Sequence, residues 1–277
     1  MSGTLFIVST PIGNLADISE RGRQVLEEVD LVAAEDTRHT GRMLDRLGIH
    51  QSLVSFHDHN EPARSSELVD RMLKGDQVAL VCDAGTPLIS DPGFRLVRLC
   101  HDRGVPVVPV PGASALLAAL VVAGLPTDRF VFEGFVPAKG AAREQALERI
   151  AAGPATTVVY ESPRRISSLL QALARLAGSE REAVLCRELT KKFETVLRGS
   201  LGELCRRLED EPEQLRGEMV LVLAGAPQAE QGDEELLALA GLLRRELSSS
   251  RAARVLAAWS GRPRRELYEM LEGMGEE

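Results

Sequence analysis

The sequence contains no recognisable phosphate-binding loop. No GxGxxG motif opens a helix after the first apolar run, and no GxxxxGK followed by Ser or Thr occurs anywhere in the 277 residues. The usual dinucleotide-binding and P-loop sites are therefore excluded. We expect a ligand that is not held mainly by its phosphates.

Cysteine is scarce, and its spacing excludes a cysteine-rich metal site. Cys82, Cys100, Cys186 and Cys205 are widely separated and form no CxxC pair. They lie mostly within apolar runs, which is typical of reduced, buried thiols in a cytoplasmic protein. No positively charged segment precedes the first apolar run, so we also expect no secretory leader.

Basic residues are outnumbered: 33 Lys and Arg stand against 41 Asp and Glu, for a formal net charge of −8. This balance excludes bulk, nonspecific binding of nucleic acid and leaves only local basic patches. One such patch lies near the C-terminus, where residues 244–265 contain seven arginines and a single acid, Glu246. Guanidinium groups suit phosphate, although a solvated helical face would have the same composition.

A single uncharged segment, residues 104–127, has the length needed to cross a membrane. Pro106, Pro109 and Pro111 crowd its first half. We therefore predict a buried strand, a turn and a helix from about Ser114 to Ala123, and no membrane contact.

The apolar runs predict two α/β domains followed by a helical module. In the first, strands at about 4–9, 31–34, 52–55, 78–82 and 105–110 alternate with helices at 19–29, 39–47, 63–74 and 93–103, which predicts a mainly parallel, doubly wound sheet. In the second, strands at 130–135, 156–160, 182–188, 194–199 and 218–224 and helices at 142–152, 164–176 and 201–209 predict a mixed sheet. Three helices at 234–247, 250–259 and 263–273 predict a helix-turn-helix-like module. We expect the domains to span residues 1–124, 125–227 and 234–277.

Two dipeptides carry the signature of a helix start. Asp91-Pro92 and Ser162-Pro163 each place a capping side chain before a proline. They predict N-caps and first-turn prolines for the helices that follow them.

Three of the predicted strands run into turns rich in glycine or proline. These turns are TPIGN (Thr10 to Asn14), DAGTPLISDPG (Asp83 to Gly93) and PGASA (Pro111 to Ala115). Open α/β sheets bind ligands at the carboxyl ends of their strands, and small residues let the backbone come close. The three turns are therefore the predicted ligand site.

Polar loops follow two further strands, AEDTRHT (Ala34 to Thr40) and HDHNE (His57 to Glu61). Their carboxylates and imidazoles, with Arg38, gather at one rim of the predicted sheet. The histidines and acids could ligate a metal, but no HExxH-type spacing is present, and we expect no metal site. The histidines could instead hydrogen-bond the loop backbone or contact a substrate.

Several motifs, taken in order along the chain, resemble those of a known family. They are TPIGNL, AEDTRHT, HDHNE, CDAGTPLISDPG, EGFVPAKG (Glu133 to Gly140), YESPRR (Tyr160 to Arg165), RELTK (Arg187 to Lys191) and GEMVLV (Gly217 to Val222). Over about residues 4–225 the chain resembles the ribosomal RNA small subunit methyltransferase I family, a branch of the tetrapyrrole methylase superfamily. The arginine-rich tail resembles that family's C-terminal helical appendage. Cys82, where many relatives have serine, and Ala113 and Ser114 are small departures.

The resemblance implies a cytoplasmic homodimer that binds S-adenosylmethionine between two α/β domains. It implies 2′-O-methylation of a cytidine in the decoding region of 16S rRNA, within the small ribosomal subunit. A sulfonium cation requires backbone carbonyls, apolar walls and a few polar anchors, which the three turns offer. Methyl transfer to a ribose hydroxyl requires alignment of the reacting atoms and a proton acceptor, but no metal.

The motifs supply the expected site residues. The candidate proton acceptors, each of which could instead be a structural hydrogen-bonding or ion-pairing group, are Glu35, Asp36, His39 and Lys191. The residues expected to bind the cofactor are Pro11, Ile12, Gly13, Asp83, Ala84, Gly85, Thr86, Ile89, Ser90, Pro111, Gly112, Ala113, Ser114, Ala115, Tyr160, Glu161 and Met219. The residues expected to bind the substrate are Arg38, His57, His59, Asn60, Lys139, Arg143, Arg164, Arg165, Arg251, Arg254, Arg262, Arg264 and Arg265.

Two alternatives stay open at this point. A small-molecule, tetrapyrrole-type methylase of the same superfamily would leave the basic tail without a polyanionic partner. A noncatalytic RNA-binding module would leave the cofactor turns without a role.

Overall fold

The computed structural model describes residues 2–227 and 233–274, and the side chains of the second range from Leu236 onward. The chain divides into two compact units, Met1–Ala226 and Pro227–Glu277. The first unit contains two five-stranded sheets with their helices, and the described residues of the second form three helices.

The first sheet is parallel throughout and has the order β3-β2-β4-β1-β5. Its strands are β1 Leu5–Val8, β2 Leu31–Ala34, β3 Leu53–Ser55, β4 Val78–Val81 and β5 Val107–Val110. The helices between them are α1 Glu20–Glu28, α2 Thr37–Leu47, α3 Glu61–Leu73 and α4 Phe94–Asp102. The short, continuous apolar runs suit strands covered on both faces, and the predicted doubly wound sheet is confirmed.

The second sheet is mixed, as predicted, with the order β6-β7-β10-β8-β9. Its strands are β6 Phe130–Phe135, β7 Thr156–Glu161, β8 Glu182–Arg187, β9 Thr195–Ser200 and β10 Met219–Leu223. Strands β6 and β7 pair in parallel, and the other neighbours pair antiparallel. The helices are α5 Ala115–Ala123, α6 Ala141–Ala152, α7 Ile166–Ala177 and α8 Leu201–Asp210.

Helix α5 packs on the second sheet although it follows the last strand of the first. Leu116, Ala119 and Leu120 share one apolar cluster with Val158 and Val220 of that sheet. The chain therefore passes from one sheet to the other at PGASA, before residue 124. The domain boundary that we expected at residue 124 stays a prediction.

The uncharged segment forms β5, a turn and α5, as predicted. In the part of the chain that the structure describes, no helix is long and apolar enough to span a membrane. All four cysteines are free thiols, and only Cys205 is partly exposed.

The second unit consists of α9 Asp233–Glu246, α10 Ser249–Ser260 and α11 Arg264–Gly273. Leucines and alanines fill its separate small core. The three predicted tail helices are thus confirmed within the described residues.

Both predicted helix caps are wrong. Helix α4 begins at Phe94 with Gly93 at its N-cap, so Asp91 and Pro92 lie in the turn before it. The buried carboxylate of Glu61 accepts hydrogen bonds from the backbone N–H groups of Gly93 (3.1 Å) and Arg95 (3.0 Å). A side chain from α3 therefore does the capping that local sequence suggested for Asp91.

Helix α7 likewise begins at Ile166 with Arg165 at its N-cap. The carbonyl of Ser162 accepts the N–H groups of both Arg165 and Ile166, at 3.0 Å each. Ser162 and Pro163 thus open a turn that precedes the helix. The same residue types favour turns as strongly as helix starts, so the local pattern could not separate the two.

Candidate active site

The turns that follow β1, β4 and β5 lie side by side because these strands are neighbours in the sheet. Thr10 and Gly85 exchange two backbone hydrogen bonds of 2.8 and 3.0 Å. The Thr86 hydroxyl lies 2.9 Å from the Ser9 hydroxyl and donates to the carbonyl of Ala113 (3.1 Å). These bonds join the three turns into one frame.

The frame forms one wall of a cavity of about 420 Å³, and the second sheet forms the opposite wall. Its lining residues are Ile12, Glu35, Asp83, Ala84, Gly85, Thr86, Ile89, Ser90, Asp91, Ser114, Ala115, Phe135, Tyr160, Glu161, Ser162, Pro163, Gly217, Glu218, Met219 and Val220. We call it the acidic cavity, because all five charged side chains among them are carboxylates. The remaining lining is mostly apolar or aromatic.

Two of these carboxylates are held toward their neutral forms. Burial, followed by the charges of Glu35, Asp83 and Asp58, raises the pKa of Asp91 to about 6, despite an opposing hydrogen bond from Cys82. Burial and the charge of Asp83 also raise the pKa of Glu35. A bound cation would relieve this repulsion, so the electrostatics favour a positively charged ligand.

Backbone strain occurs in the DAGTPLISDPG turn after β4, as it also does at Glu188 and Thr190. Leu88 and Ser90, neither of them glycine, have φ values of 73° and 68°. This left-handed backbone costs free energy at non-glycine residues and persists where the surrounding structure enforces it, as at binding sites.

Aromatic rings line the side of the acidic cavity formed by the second sheet. Tyr160 packs edge-on against Phe132 and Phe135, with ring centroids 4.9 and 5.6 Å away. Its hydroxyl accepts the N–H of Leu116 at 2.9 Å, and burial raises its pKa to about 12. Phe135 is 58% exposed, which leaves apolar surface available to a planar ligand group.

A second cavity of about 420 Å³ adjoins the first. Its lining residues are Pro11, Ile12, Gly13, Leu15, His39, Arg42, Met43, Arg46, Asp83, Ala84, Lys191 and Glu218. We call it the basic cavity, after its two arginines, lysine and histidine. Ile12, Asp83, Ala84 and Glu218 line both cavities.

Lys191 is fixed over the TPIGN turn. Its Nζ donates to Glu188 (2.9 Å) and Glu218 (3.0 Å). Burial lowers the pKa of Lys191, but the two carboxylates outweigh burial and leave it raised. The ammonium is therefore the stable form, and Lys191 is poorly suited to accept a proton in this state.

Glycine is required on both sides of that lysine. A Cβ on Gly13 would lie 2.3 Å from the Lys191 side chain. A Cβ on Gly217, where φ is +80°, would lie 2.3 Å from the Glu188 carboxylate. Close approach therefore explains both glycines.

Asp36 caps a helix and lines neither cavity. It accepts the N–H groups of Arg38 (2.8 Å) and His39 (3.3 Å) at the start of α2. A side-chain hydrogen bond from Arg38, at 3.2 Å, contributes most to lowering its pKa to about 2. Glu35 lines the acidic cavity and His39 the basic one.

The HDHNE loop is stabilised by its own residues. Asn60 accepts the N–H of His57 at 2.9 Å and donates to the carbonyl of Ser55 at 3.1 Å. The rings of His57 and His59 meet edge to face, with centroids 5.9 Å apart. None of these side chains lines either cavity. In residues 2–227 and 233–274, no group of three or more His, Cys, Asp or Glu is arranged to hold a metal ion.

Three predicted cofactor residues, Pro111, Gly112 and Ala113, line neither cavity. A Cβ on Gly112 would lie 2.9 Å from that of Ser9, so Gly112 allows PGASA to pass the end of β1. The other predicted cofactor residues line the acidic cavity, apart from Pro11 and Gly13, which line the basic one.

The predicted substrate arginines of the first unit lie outside both cavities. Arg165 pairs with Glu161 at 2.9 Å and donates to the carbonyl of Val136. Arg143 donates to the carbonyl of Pro137 at 3.2 Å. Arg38 is 88% exposed, and Lys139 and Arg164 are also exposed.

In the second unit, Arg251, Arg254, Arg264 and Arg265 are exposed. Arg264 donates to Ser250 (2.9 Å), and Arg265 pairs with Glu269 (2.9 Å). Arg262 lies 4.0 Å from Glu266.

Sequence reasoning missed several lining residues. They are Asp91, Phe135, Ser162, Pro163, Gly217, Glu218 and Val220 in the acidic cavity, and Leu15, Arg42, Met43 and Arg46 in the basic cavity. All seven residues of the first set lie inside motifs that carried the family resemblance, so those motifs could have indicated them. The signal for the α2 residues was helical spacing, with His39, Arg42, Met43 and Arg46 on one face.

Comparisons with known proteins agree with this architecture. Residues 4–205 match the family model of the Tetrapyrrole (Corrin/Porphyrin) Methylases, and residues 230–274 match that of the RsmI C-terminal HTH domain. The chain is 48% identical to ribosomal RNA small subunit methyltransferase I of Pseudomonas aeruginosa and 44% identical to that of Haemophilus influenzae. In both cases the match covers 97% of this chain and 96% of the relative.

Solved structures share the fold at low identity. The methyltransferase CobJ matches with a TM-score of 0.61 at 19% identity, over 81% of this chain and 95% of that one. Uroporphyrin-III C-methyltransferase from Thermus thermophilus, complexed with S-adenosyl homocysteine, matches with a TM-score of 0.56 at 22% identity, over 80% and 97%. The predicted arrangement of two α/β domains and a helical tail is thus confirmed.

Proposed function

The chain belongs to the ribosomal RNA small subunit methyltransferase I family of the tetrapyrrole methylases, and from that premise we propose the reaction of its site. It uses S-adenosylmethionine as the methyl donor and methylates ribosomal RNA. The proposed acceptor is the ribose 2′-hydroxyl of a cytidine in the decoding region of 16S rRNA, within the small subunit. We propose that the reaction takes place in the cytoplasm.

The charge of the acidic cavity is the observation that supports S-adenosylmethionine as its ligand. S-adenosylmethionine has a net positive charge, because its sulfonium and ammonium outnumber its single carboxylate. Of the five carboxylates that line the cavity, Glu161 pairs with Arg165 and Glu218 with Lys191. Within the described part of the chain, Glu35, Asp83 and Asp91 make no ion pair and are left to face a cation. Asp83 and Asp91 are placed to hold the cationic end, and Tyr160 and Phe135 offer an aromatic wall for the adenine. The donor set of the cavity thus fits this cofactor.

Bound S-adenosylmethionine supplies a methyl group already activated by the positive charge on sulfur. The protein must align the acceptor hydroxyl with that group and remove a proton. Of the four candidate acceptors, we propose Glu35. It lines the acidic cavity, and burial raises its pKa toward the range useful for a general base.

His39, on the wall of the basic cavity, is the second candidate acceptor. Lys191 stays protonated between its two carboxylates and is proposed instead to hold Glu218 at the junction of the cavities. Asp36 is proposed to position α2, because both of its backbone hydrogen bonds serve the helix N-terminus.

We also propose that the protein is a homodimer. Helix α5 contains no polar side chain, and Leu117 and Val121 are 51% and 75% exposed. An exposed apolar face of this kind supports a protein contact. Sedimentation of the wild type and of Val121→Glu tests this, and a monomeric wild type would contradict it.

The reaction is tested by methyl transfer from labelled S-adenosylmethionine to small subunits taken from cells that lack the gene. We expect label on one cytidine ribose, mapped by nuclease digestion and mass spectrometry, and a large loss of turnover in Glu35→Gln. Label on a base would contradict the proposed position. Transfer to a tetrapyrrole acceptor, with none to the subunit, would favour a small-molecule methylase.

A further inference from the structure

One face of α2 carries two arginines and a methionine to which the proposed reaction has assigned no role, beside His39, its second candidate acceptor. His39, Arg42, Met43 and Arg46 follow the i, i+3, i+4, i+7 spacing that places residues on one side of a helix. All four line the basic cavity. We call Arg42 and Arg46 the arginine pair.

Among the residues that the structure describes, the arginine pair has no side-chain partner. Both residues are exposed, and in the described part of the chain neither makes an ion pair or a hydrogen bond through its side chain. Arg38, one turn earlier on the same helix, is tied to Asp36 at 3.2 Å. Unlike Arg38, the arginine pair is available to an external anion.

A third cation also lines the basic cavity, but two carboxylates already pair with it. Lys191 lies there over Gly13, and its neighbours Glu188 and Glu218 hold it in place. The acids that line this cavity are only Asp83 and Glu218, which it shares with the acidic cavity. The part of the basic cavity that it does not share with the acidic cavity is therefore the more positive part.

The position of the basic cavity matters as much as its charge. Four lining residues belong to both cavities, so a group in the basic cavity lies directly beside the proposed donor site. A ribose 2′-hydroxyl is bonded to the carbon next to the one that carries the 3′-phosphate. An acceptor ribose at the junction must therefore bring a phosphodiester into the neighbouring space.

We propose that the basic cavity is the subsite for the RNA backbone beside the methylated nucleotide, and that the arginine pair grips a phosphodiester there. This inference rests on the proposed ribose methylation and names the residues that position its substrate. Guanidinium groups suit this task because their fork of N–H donors matches phosphate oxygens. The arginine pair acts by positioning the backbone, and the chemistry stays with groups at the donor.

The test compares the double variant Arg42→Ala/Arg46→Ala with Arg21→Ala in the full-length protein. Arg21 is an exposed arginine of α1 that lines neither cavity, so it controls for loss of surface charge. With small subunits as substrate, we expect KM to rise about tenfold or more in the double variant, with a much smaller change in kcat. Arg21→Ala should behave as wild type.

Salt dependence and cofactor affinity provide two further readouts. Loss of two phosphate contacts to single-stranded RNA should reduce the slope of log affinity against log salt by about 1.4. The calorimetric Kd for S-adenosylmethionine should stay within about twofold of wild type, because the arginine pair does not line the acidic cavity. The KM of Arg42→Lys/Arg46→Lys should lie between those of wild type and of the alanine variant. Lysine keeps the positive charge but lacks the fork of N–H donors.

An unchanged KM and salt slope in an active double variant would overturn the inference, as would a large loss of cofactor affinity. If the alanine variant melts at a lower temperature than wild type, the lysine variant decides the matter through KM alone, because it keeps both charges: a KM equal to that of wild type would overturn the inference. Failure of the proposed function is distinguishable, because the wild type itself would then not label the subunit.

Discussion

Asp91 offers a sharp test of the electrostatics, because it should destabilise the empty protein and favour the bound one. It lines the acidic cavity with four other carboxylates, and burial raises its pKa from 3.8 to about 6. When folding raises the pKa of a carboxyl group, the folded protein loses stability as pH rises from about 4 to 6. In this pH range the carboxyl group ionises freely only in the unfolded chain. Above pH 6 the full cost is present.

The magnitude follows from the pKa difference. One unit of pKa corresponds to about 1.4 kcal/mol, so the difference between 3.8 and about 6 has an upper limit of about 3 kcal/mol. The side chain is only partly buried, and solvent screening reduces this to about 1–1.5 kcal/mol. Asp91→Asn removes the charge and keeps an oxygen that can accept the hydrogen bond from Cys82.

Thermal unfolding of Asp91→Asn without cofactor should therefore show a midpoint about 2–5 °C above wild type at pH 8 and little difference at pH 4.5. The relevant transition is the one that S-adenosylmethionine shifts in the wild type. Cofactor affinity should change in the opposite direction, falling about fivefold at pH 8, because an ion pair of about 1 kcal/mol is lost. In the wild type, affinity should weaken as pH falls through 6.

The matched control is Asp70→Asn, which removes an exposed carboxylate of α3 that lines neither cavity. It should change neither the midpoint nor the affinity. A variant Asp91→Asn that is less stable than wild type at pH 8, or that binds the cofactor with unchanged affinity, would refute the account of a strained carboxylate held for a cation.

Three further outcomes are expected. Gly217→Ala should lower the free energy of unfolding by about 1–3 kcal/mol in denaturant titration, because φ at Gly217 is +80° and the new Cβ meets Glu188. The control is Gly241→Ala, whose new Cβ lies in open space on a helix. It should raise the free energy of unfolding by about 0.5–1 kcal/mol. Tyr160→Phe should lose about 1 kcal/mol of stability, since a backbone N–H at the start of α5 loses its acceptor, with only a small change in calorimetric cofactor affinity. Removal of residues 227–277, a separate compact unit, should weaken RNA affinity and its salt dependence while cofactor affinity is unchanged. Equal losses of RNA affinity and cofactor affinity would contradict separate roles for the two units.

Much of the fold was predictable because its signals are local. The strands of the first sheet are uninterrupted apolar runs, and the helices between them show 3.6-residue spacing, so both were located within a few residues. The turns after β1, β4 and β5 were marked by glycine and proline. Their role at a ligand site followed from a general property of open sheets.

Other features could not be predicted without knowing which elements lie beside one another in space. Glu61 caps α4 from another helix, and Lys191 pairs with Glu218 across 27 positions. A local pattern offered Asp91 as the cap because it cannot show which distant side chain reaches the same N–H groups. The helix caps were therefore mispredicted where tertiary contacts replaced local ones.

The sequence alone determined the two sheets, the helical tail and the turns from which the cofactor site is built, because periodicity and turn chemistry act over neighbouring residues. Only the tertiary structure separated the site into an acidic cavity and an adjoining basic one. That separation arises because strands β2, β4 and β1 are neighbours in space and bring Glu35, Asp83 and the TPIGN turn together. Helix α2 then presents its arginine pair to the same junction, a relationship that no spacing along the chain expresses.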